Sequence, residues 1–282
     1  MTQIPNGSGG RRPPLSKDTR LCISLSGRPS NIGTRFHNYL YDVLGLDFIY
    51  KAFTTTDIAA AVGGVRALGI RGCSVSMPFK QDVIELVDVV EQSASAIDAV
   101  NTIVNDDGRL TASNTDYLAV QRLIAQHGLQ PSQSLLLKGS GGMASAVAAA
   151  FRDNGFEQGT VIARNVDTGE ALAQRLGYDF ASEVGTRTAD VIVNITPVGM
   201  AGGAEVNDLA FDSETIVAAQ TVFDVVAMPS ETPLITAARS AGIAVITGAE
   251  VIALQAAEQF ERYTGVRPSD EQIAAASAVS RA

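Results

Sequence analysis

The stretch Leu135-Leu-Leu-Lys-Gly-Ser-Gly-Gly-Met-Ala144 decides the fold of this chain. Its apolar run ends at Gly139-x-Gly141-x-x-Ala144 and an alanine-rich segment follows, which indicates a strand, a tight turn and a helix. Gly139 permits the turn, Gly141 lets a pyrophosphate approach the backbone at the helix start, and Ala144 allows close helix–strand packing. The pattern predicts a dinucleotide-binding domain.

Further apolar runs follow this turn at a regular spacing. Strands are predicted over 135–138, 161–163, 191–195 and 222–226, with helices between them. Such alternation is typical of a parallel, doubly wound sheet.

The N-terminal half also alternates strands and helices. Strands are predicted over 21–25, 48–53 and 70–76, and helices over 34–44 and from a cap at Thr56 or Asp57 to residue 68. Asp107-Gly108 is a tight-turn signal, which predicts a β-hairpin between 99–104 and 109–112. This half is therefore expected to be a second α/β domain.

The length of 282 residues favours two domains over one, since single cores rarely grow this large. We expect a flexible tail over 1–14, a substrate domain formed by 15–114 and 249–282, and a nucleotide-binding domain over 115–248. The helices near residues 250 and 270 are expected to pack back on the first domain, with a cleft between the two domains.

Composition and charge exclude several classes of protein. An apolar content of 46% with 18% charged residues is globular, and a net charge of −9 argues against nucleic-acid binding. No apolar stretch approaches the ~18 residues of a membrane span, and no secretory signal is present. We expect a cytoplasmic monomer or homodimer that acts on a small molecule.

The cysteines and histidines suggest no catalytic or metal site. Cys22 and Cys73 lie in apolar runs and are expected to be buried thiols in a reducing compartment. His37 and His127 have no cysteine or acid spaced for zinc or triad chemistry, so both are interpreted as structural or solvated.

The end of the second strand of the dinucleotide unit indicates which cofactor binds. An acid commonly stands there to hold the ribose of NAD, whereas this chain has Arg164-Asn165. Arginine suits a 2′-phosphate, which predicts NADP rather than NAD. The alternatives are that Arg164 is an ordinary exposed charge or that the nearby Asp167 serves NAD.

Three polar residues in the first half stand where short apolar runs stop: Lys80, Asn101 and Asp116. Lys80 is predicted in the first turn of a helix after Pro78, where the helix N-terminus disfavours its positive charge and a nearby Asp116 favours it. Such a pair can exchange a proton with a substrate hydroxyl as hydride leaves the same carbon. An amide at Asn101, within a predicted strand, suggests a ligand role. A solvated Lys80 and a helix-capping Asp116 are the alternatives.

A series of short segments, in order from about residue 21 to 265, resembles the shikimate dehydrogenase family. The shared segments are Ser74-Val-Ser-Met-Pro-Phe-Lys80, Ala99-Val-Asn-Thr102, Asn114-Thr-Asp116, the glycine loop 139–142, the segment 194–200, Thr232-Pro-Leu234 and Gln255-Ala256.

This resemblance implies a substrate domain, a Rossmann NADP-binding domain and reversible NADP-dependent reduction of 3-dehydroshikimate to shikimate. It implies that Lys80 and Asp116 form the catalytic pair. The implied substrate-binding residues are Asn31, Ser76, Asn101, Asp116 and Gln255. The implied cofactor-binding residues are Gly139, Ser140, Gly141, Gly142, Met143, Arg164, Asn165, Thr196, Val225 and Gly248.

The chain departs from the family where the substrate carboxylate is bound. The family has Ser-x-Ser just before Pro-x-x-His-Asn, and this chain has Asn31-Ile-Gly-Thr34 before Arg35-Phe-His-Asn38. A family tyrosine is replaced by Ala227. The chain therefore resembles the shikimate dehydrogenase-like subgroup, with Asn31, Thr34 or Arg35 as possible replacements for the serines.

These departures leave several functions open. We expect a dehydrogenase acting on shikimate or a close cyclitol acid. The alternatives are a dehydrogenase for quinate, aminoshikimate or another related substrate, and a non-catalytic regulatory protein that binds NADP or shikimate. The retained Lys80 and Asp116 argue against the regulatory protein, because a sensor needs no proton transfer.

Overall fold

The structure, a computed structural model, describes residues 11–281. Contacts between Cα atoms divide them into two compact units, 11–115 with 256–281, and 116–255. Residues 1–10 of the predicted tail lie outside the described residues. Within its remainder, Arg12 donates hydrogen bonds to Asn38 Oδ1 at 3.0 Å and to the Phe48 carbonyl at 3.1 Å, which hold it against the first unit.

The first unit is built on a mixed six-stranded sheet in the order β2-β1-β3-β5-β6-β4. Its strands are β1 (Arg20–Ser26), β2 (Phe48–Thr54), β3 (Gly72–Val75), β4 (Val89–Val90), β5 (Thr102–Asp106) and β6 (Arg109–Ser113). Its first helices are α1 (Ile32–Val43), α2 (Ile58–Ala67) and α3 (Gln92–Ser95). Strand β1 is parallel to both of its neighbours, and β3 is antiparallel to β5. The predicted α/β character of this half is confirmed.

The predicted hairpin joins β5 and β6. Asp107 and Gly108 both have positive φ angles, +52° and +91°, which fit the two central positions of a tight hairpin turn. Asn105 Oδ1 accepts from the Gly108 N–H at 2.8 Å and closes the turn.

The second unit has a six-stranded sheet in which every neighbouring pair is parallel, in the order β12-β11-β10-β7-β8-β9. Its strands are β7 (Leu135–Lys138), β8 (Gly159–Ile162), β9 (Asp179–Ala181), β10 (Val191–Asn194), β11 (Thr221–Asp224) and β12 (Ala244–Thr247). Its helices are α4 (Thr115–Gln126), α5 (Gly142–Asp153), α6 (Val166–Leu176), α7 (Ser213–Ala218) and α8 (Pro233–Ser240), followed by α9 (Gly248–Thr264).

Numbered within the unit, this order is the 3-2-1-4-5-6 arrangement of dinucleotide-binding sheets. The predicted doubly wound sheet is thus confirmed. The edge strands β9 and β12 were not predicted: β9 has only three residues, Asp179–Ala181, whereas β12 is an apolar run, Ala244-Val-Ile-Thr247, that the sequence analysis did not identify. The strand order reverses between β7 and β10, and ligands bind such sheets at the carboxyl ends beside the reversal.

The chain ends with α10 (Asp270–Arg281), which packs on α1 in the first unit. Helix α9 begins among residues of the second unit and ends among those of the first, so the contact division falls at 255/256 rather than at 249. Tyr263 of α9 covers β3 so closely that a Cβ at Gly72 would collide with its ring. Arg71 Nε donates to the Tyr263 carbonyl at 2.9 Å and fixes the end of the helix.

An aromatic cluster around His37 fills one face of the first unit. The imidazole is fully buried, stacks on Tyr50 with ring centroids 4.4 Å apart, and lies over Phe260 at 6.0 Å. Neither ring nitrogen has a hydrogen-bond partner among the described residues, and Gln259 is near without reaching bonding distance. Burial lowers the pKa of His37 to about 3, so the residue is structural.

Both cysteines are free and buried. Burial raises the pKa of the Cys22 thiol to about 12 and raises that of Cys73 as well. The predicted burial of both thiols is confirmed. Across residues 11–281, no helix combines the length and apolar character needed to cross a bilayer.

Candidate active site

The glycine turn after β7 lies at the point where the strand order reverses. Gly139 has a φ angle of +133°, and a Cβ there would lie 2.8 Å from the Ile195 carbonyl oxygen. Ile195 follows β10, the neighbour of β7 across the reversal, and its N–H donates to the Lys138 carbonyl at 2.8 Å. Only glycine fits both this conformation and this close approach.

The start of α5 is open. Added Cβ atoms at Gly141 and Gly142 would meet no atom within 4 Å, and Gly141, the N-cap residue, brings no side chain to accept from the first N–H groups. Free N–H groups at a helix start bind anions well. Ser140 borders this space with its hydroxyl 2.7 Å from the Thr168 hydroxyl, and Met143 is half-buried in the first turn. The chain therefore has a cradle suited to a pyrophosphate.

Arg164 and Asn165 follow β8 and are exposed. The Asn165 side chain accepts from the Thr168 N–H at 3.1 Å and caps α6. The Arg164 side chain is 80% exposed, and its Nη1 lies 3.6 Å from Glu205 Oε1. Such an exposed pair is weak, so the guanidinium is accessible to a phosphate.

Three further residues of the predicted cofactor set meet at the ends of β10 and β11. A Cβ at Gly248 would collide with the Val225 carbonyl. The Val225 N–H donates to the Asn194 carbonyl at 3.0 Å, and Thr196 Oγ1 donates to Asn194 Oδ1 at 2.6 Å.

Beneath these loops lies a buried polar group that the sequence reasoning missed, which we call the Asp224 cluster: Asn194, Asp224 and Thr232. All three side chains are fully buried. Asp224 accepts from Asn194 Nδ2 at 3.0 Å and from Thr232 Oγ1 at 2.6 Å. Burial raises the pKa of the Asp224 carboxyl, and these hydrogen bonds oppose that shift. The available signal was an acid at the end of an apolar run, the same signal that singled out Asp116.

Lys80 lies in the first unit, in a turn rather than in the first turn of a helix as predicted. Its carbonyl accepts from the Val100 N–H at 2.7 Å instead of from a residue one helical turn later. The next helical element along the chain is a short 3-10 turn, Ile84–Leu86, which begins four residues later. The argument from a helix N-terminus therefore does not apply to Lys80, whose side chain is half-buried.

Asn101 follows Val100 directly and is buried at the entrance to β5 rather than within the strand. Its Oδ1 accepts from Thr102 Oγ1 at 2.8 Å, from the Thr115 N–H at 2.8 Å and from Thr115 Oγ1 at 3.1 Å. Gln259 Nε2 supports the same segment, at 3.1 Å from Thr102 Oγ1 and 3.4 Å from the Asn101 carbonyl. The Asn101 Nδ2 donates no hydrogen bond within residues 11–281, which leaves this group of a rigidly held side chain for a ligand.

Two other predicted substrate residues lie at the surface of the first unit. Ser76 is exposed after β3, where its N–H donates to the Leu25 carbonyl at 3.0 Å. Asn31 is exposed at the start of α1 and makes no capping bond with its side chain. The Thr34 hydroxyl is buried, so Asn31 and the exposed Arg35 are the remaining replacements for the family serines.

Asp116 and Gln255 stand where the chain passes from one unit to the other. Asp116 is half-buried in the first turn of α4, and Gln255 is half-buried in α9. The pairing of Asp116 with Lys80 stays a prediction.

Comparisons with known proteins identify the family. A family model for the shikimate dehydrogenase substrate binding domain matches residues 31–103. A shikimate dehydrogenase-like protein of Haemophilus influenzae is 57% identical over 267 residues, covering 95% of this chain and 98% of that protein. A solved shikimate 5-dehydrogenase-like protein has a TM-score of 0.94 at 57% identity, covering 95% of this chain and all 100% of the other. The shikimate 5-dehydrogenase of Thermus thermophilus, solved in complex with NADP(H) and shikimate, has a TM-score of 0.82 at 27% identity, covering 93% of this chain and 99% of that one. The chain belongs to the shikimate dehydrogenase family.

Proposed function

We propose that the protein is an NADP-dependent oxidoreductase that interconverts shikimate, or a close cyclitol acid, and its 3-dehydro form. In this proposal residues 15–114 and 249–282 bind the substrate, and residues 115–248 bind NADP. The family membership and the open glycine cradle at α5 support it. We further propose that it is cytoplasmic and is a monomer or homodimer. Size-exclusion chromatography with light scattering tests the oligomeric state.

The residues of the second unit fit NADP. The N–H groups of Gly141, Gly142 and Met143 would hold the pyrophosphate at the start of α5. Arg164 would hold the 2′-phosphate, with Asn165 beside it. The remaining proposed contacts are Gly139, Ser140, Thr196, Val225 and Gly248. Bound there, NADP supplies or accepts the hydride.

Residues of the first unit, together with Asp116 and Gln255 of the second, bind the substrate and move the proton. Lys80 and Asp116 together take the proton from the substrate hydroxyl in one direction and return it in the other. Asn101 Nδ2 donates to a substrate hydroxyl and fixes the ring, while Ser76 and Gln255 bind other hydroxyl groups. Because Asn101 is held through Oδ1 by Thr102 and Thr115, its donor is oriented before the substrate arrives.

The observation that carries this proposal is the hydrogen bond between the Lys80 carbonyl and the Val100 N–H, which keeps the lysine next to Asn101. The test is NADPH formation, followed by absorbance, with saturating shikimate and NADP. Turnover that is lost in Lys80→Ala supports the proposal. Equal, negligible rates in the wild type and Lys80→Ala would exclude catalysis on this substrate.

The altered carboxylate site favours a second candidate function, a dehydrogenase for a related ring hydroxy-acid such as quinate or aminoshikimate. With Thr34 turned inward, the exposed groups at this site are Asn31 and Arg35. Each lost hydrogen bond to a charged carboxylate costs about 1.5–3 kcal/mol unless it is replaced. A panel of ring hydroxy-acids ranked by kcat/KM decides between the candidates, and a nonacidic substrate that exceeds shikimate would show that the carboxylate site has been discarded.

A further inference from the structure

We infer that Asp224 is a positioning residue for the NADP site, acting through the loops after β10 and β11. The inference rests on the proposed function, since it concerns the same cofactor. Asp224 Oδ1 accepts from Asn194 Nδ2 at 3.0 Å and from the Val226 N–H at 3.0 Å. Its Oδ2 accepts from Thr232 Oγ1 at 2.6 Å. All three partners are donors, so the carboxylate oxygens meet only N–H and O–H groups in this cluster.

Each of these partners leads to a loop at the carboxyl edge of the sheet. Asn194 Oδ1 accepts from the Thr196 N–H at 3.1 Å and from Thr196 Oγ1 at 2.6 Å. The hydrogen bond from the Val226 N–H fixes the backbone just after Val225. Gly248 packs against the carbonyl of Val225. One carboxylate therefore sets the backbone of Thr196, Val225 and Gly248, three residues of the proposed NADP site.

Thr232 ties the same carboxylate to α8. Its hydroxyl donates to Asp224 and accepts from the Ile235 N–H at 3.2 Å, which caps the helix. A Cβ at Gly199, in the loop that follows Thr196, would lie 3.3 Å from Thr232 Cβ. The cluster thus holds the loop after β10 from two sides.

The opposite edge of the same sheet carries a matched arrangement with no proposed ligand. Asp190 precedes β10 and accepts from the Ser134 N–H at 2.8 Å, from Ser134 Oγ at 2.7 Å and from Gln220 Nε2 at 2.6 Å. Ser134 Oγ also accepts from the Asp190 N–H at 3.0 Å, just as Thr232 accepts from a backbone N–H. Removal of either hydroxyl costs one bond to a carboxylate and one bond from the backbone.

The experiment compares Thr232→Val with Ser134→Ala, and Asp224→Ala with Asp190→Ala. Binding of NADP is measured by isothermal titration calorimetry, and unfolding is followed by circular dichroism. We expect all four variants to unfold at lower temperature than the wild type. We expect NADP to bind about threefold more weakly to Thr232→Val and about tenfold more weakly to Asp224→Ala, with wild-type affinity in the two controls. Thr232→Ser, which keeps the hydroxyl, is expected to bind NADP with wild-type affinity.

The outcomes separate the inference from the proposed function. A wild-type protein that does not bind NADP overturns the proposed function and the inference with it. A wild-type protein that binds NADP, with equal affinities in Thr232→Val and Ser134→Ala, overturns the inference alone. The threonine and serine variants decide the question if Asp224→Ala does not fold. Weaker binding confined to the Asp224 cluster supports the inference.

Discussion

The two units build their predicted binding residues in different ways. In the second unit the cradle at α5 consists of glycines and backbone N–H groups, and the buried Asp224 cluster supports the loops beside it. In the first unit the functional groups are the side chains of Lys80 and Asn101, held by a turn and by hydrogen bonds. Substitutions in the second unit should therefore act through shape, and those in the first through the loss of a chemical group.

The largest effect is expected from Lys80→Ala. The loss of a proton-transferring group should lower kcat by roughly 10²- to 10⁴-fold and leave NADP affinity unchanged. Steady-state kinetics with shikimate and NADP, together with calorimetric NADP binding, measure both quantities. Lys17→Ala is the control, since Lys17 is an exposed lysine of the same unit that pairs with its neighbour Asp18. A wild-type rate in Lys80→Ala would show that Lys80 does not transfer the proton.

Asn101→Ala separates a functional amide from a structural one. Asn105 is the matched control, because it is also buried and its Nδ2 donates to the Val65 carbonyl at 2.9 Å. Both alanine variants should lose stability, by about 1–3 kcal/mol, because buried groups are left unpaired. Only Asn101→Ala should lower kcat/KM, by roughly 10- to 100-fold. Urea unfolding and steady-state kinetics test this, and equal kinetic losses would make Asn101 merely structural.

Gly141→Ala tests the role of shape in the second unit. The added methyl meets no protein atom within 4 Å, so the free energy of unfolding should change by less than about 1 kcal/mol. It would occupy space proposed for the pyrophosphate, and NADP affinity should fall roughly 10- to 100-fold. Gly139→Ala should lose both stability and affinity, because its methyl would meet the Ile195 carbonyl at 2.8 Å. Gly63→Ala in α2, also with open space, should raise the free energy of unfolding by about 0.5–1 kcal/mol and leave NADP affinity unchanged.

These glycines also show how far the sequence predicts the structure. The pattern from Gly139 to Ala144 predicted the strand, turn and helix, because a tight turn and a close backbone approach leave few other choices of residue. The central strands of the second sheet were predicted because buried strands need continuous apolar runs, which the sequence shows. The edge strand β9 was missed because its three residues bury too few side chains to leave a pattern. The edge strand β12 was missed although its apolar run, Ala244-Val-Ile246, was visible in the sequence.

The polar residues were harder to predict than the strands. Lys80 was expected in a helix because proline is common at helix starts and Pro78 lies two residues before it. Instead, the hydrogen bond from the Val100 N–H to the Lys80 carbonyl holds the segment as a turn. Asp224 ends an apolar run, but nothing in the sequence shows which residues bind its carboxylate. Its partners Asn194 and Thr232 lie in segments shared with the family, and their contact with Asp224 is seen only in the structure. Hydrogen bonds between residues distant in sequence therefore mark the limit of prediction here.

Arg164→Ala tests the exposed charged side chain that the second unit is proposed to use. Loss of a guanidinium from a 2′-phosphate should weaken NADP binding about tenfold and leave NAD binding unchanged. Arg239→Ala is the control, because Arg239 is also exposed and pairs with one carboxylate, Glu231, at 3.1 Å. Calorimetry with both cofactors measures the preference. Tighter binding of NAD than of NADP by the wild type would contradict the proposed preference.

The smallest effect on NADP binding and turnover is expected from His37, a polar side chain of the first unit that lies in the aromatic cluster and acts on stability. Its pKa is lowered to about 3 in the folded state, whereas an unfolded histidine has a pKa of about 6.5. Between these values the unfolded chain binds the proton and the folded one does not. Stability should therefore fall as the pH drops from about 6.5 towards 3, by up to about 1.4 kcal/mol per pH unit.

His37→Phe removes this dependence while an aromatic ring remains on Tyr50. The unfolding free energy of the wild type minus that of the variant, from urea titrations between pH 4 and 7.5, should become lower as the pH falls below about 6.5, by up to about 1.4 kcal/mol per pH unit. His127→Gln is the control, since His127 is partly exposed beside Glu250 and lies in the other unit. A pH-independent difference for His37→Phe would mean that the imidazole becomes protonated within the folded cluster.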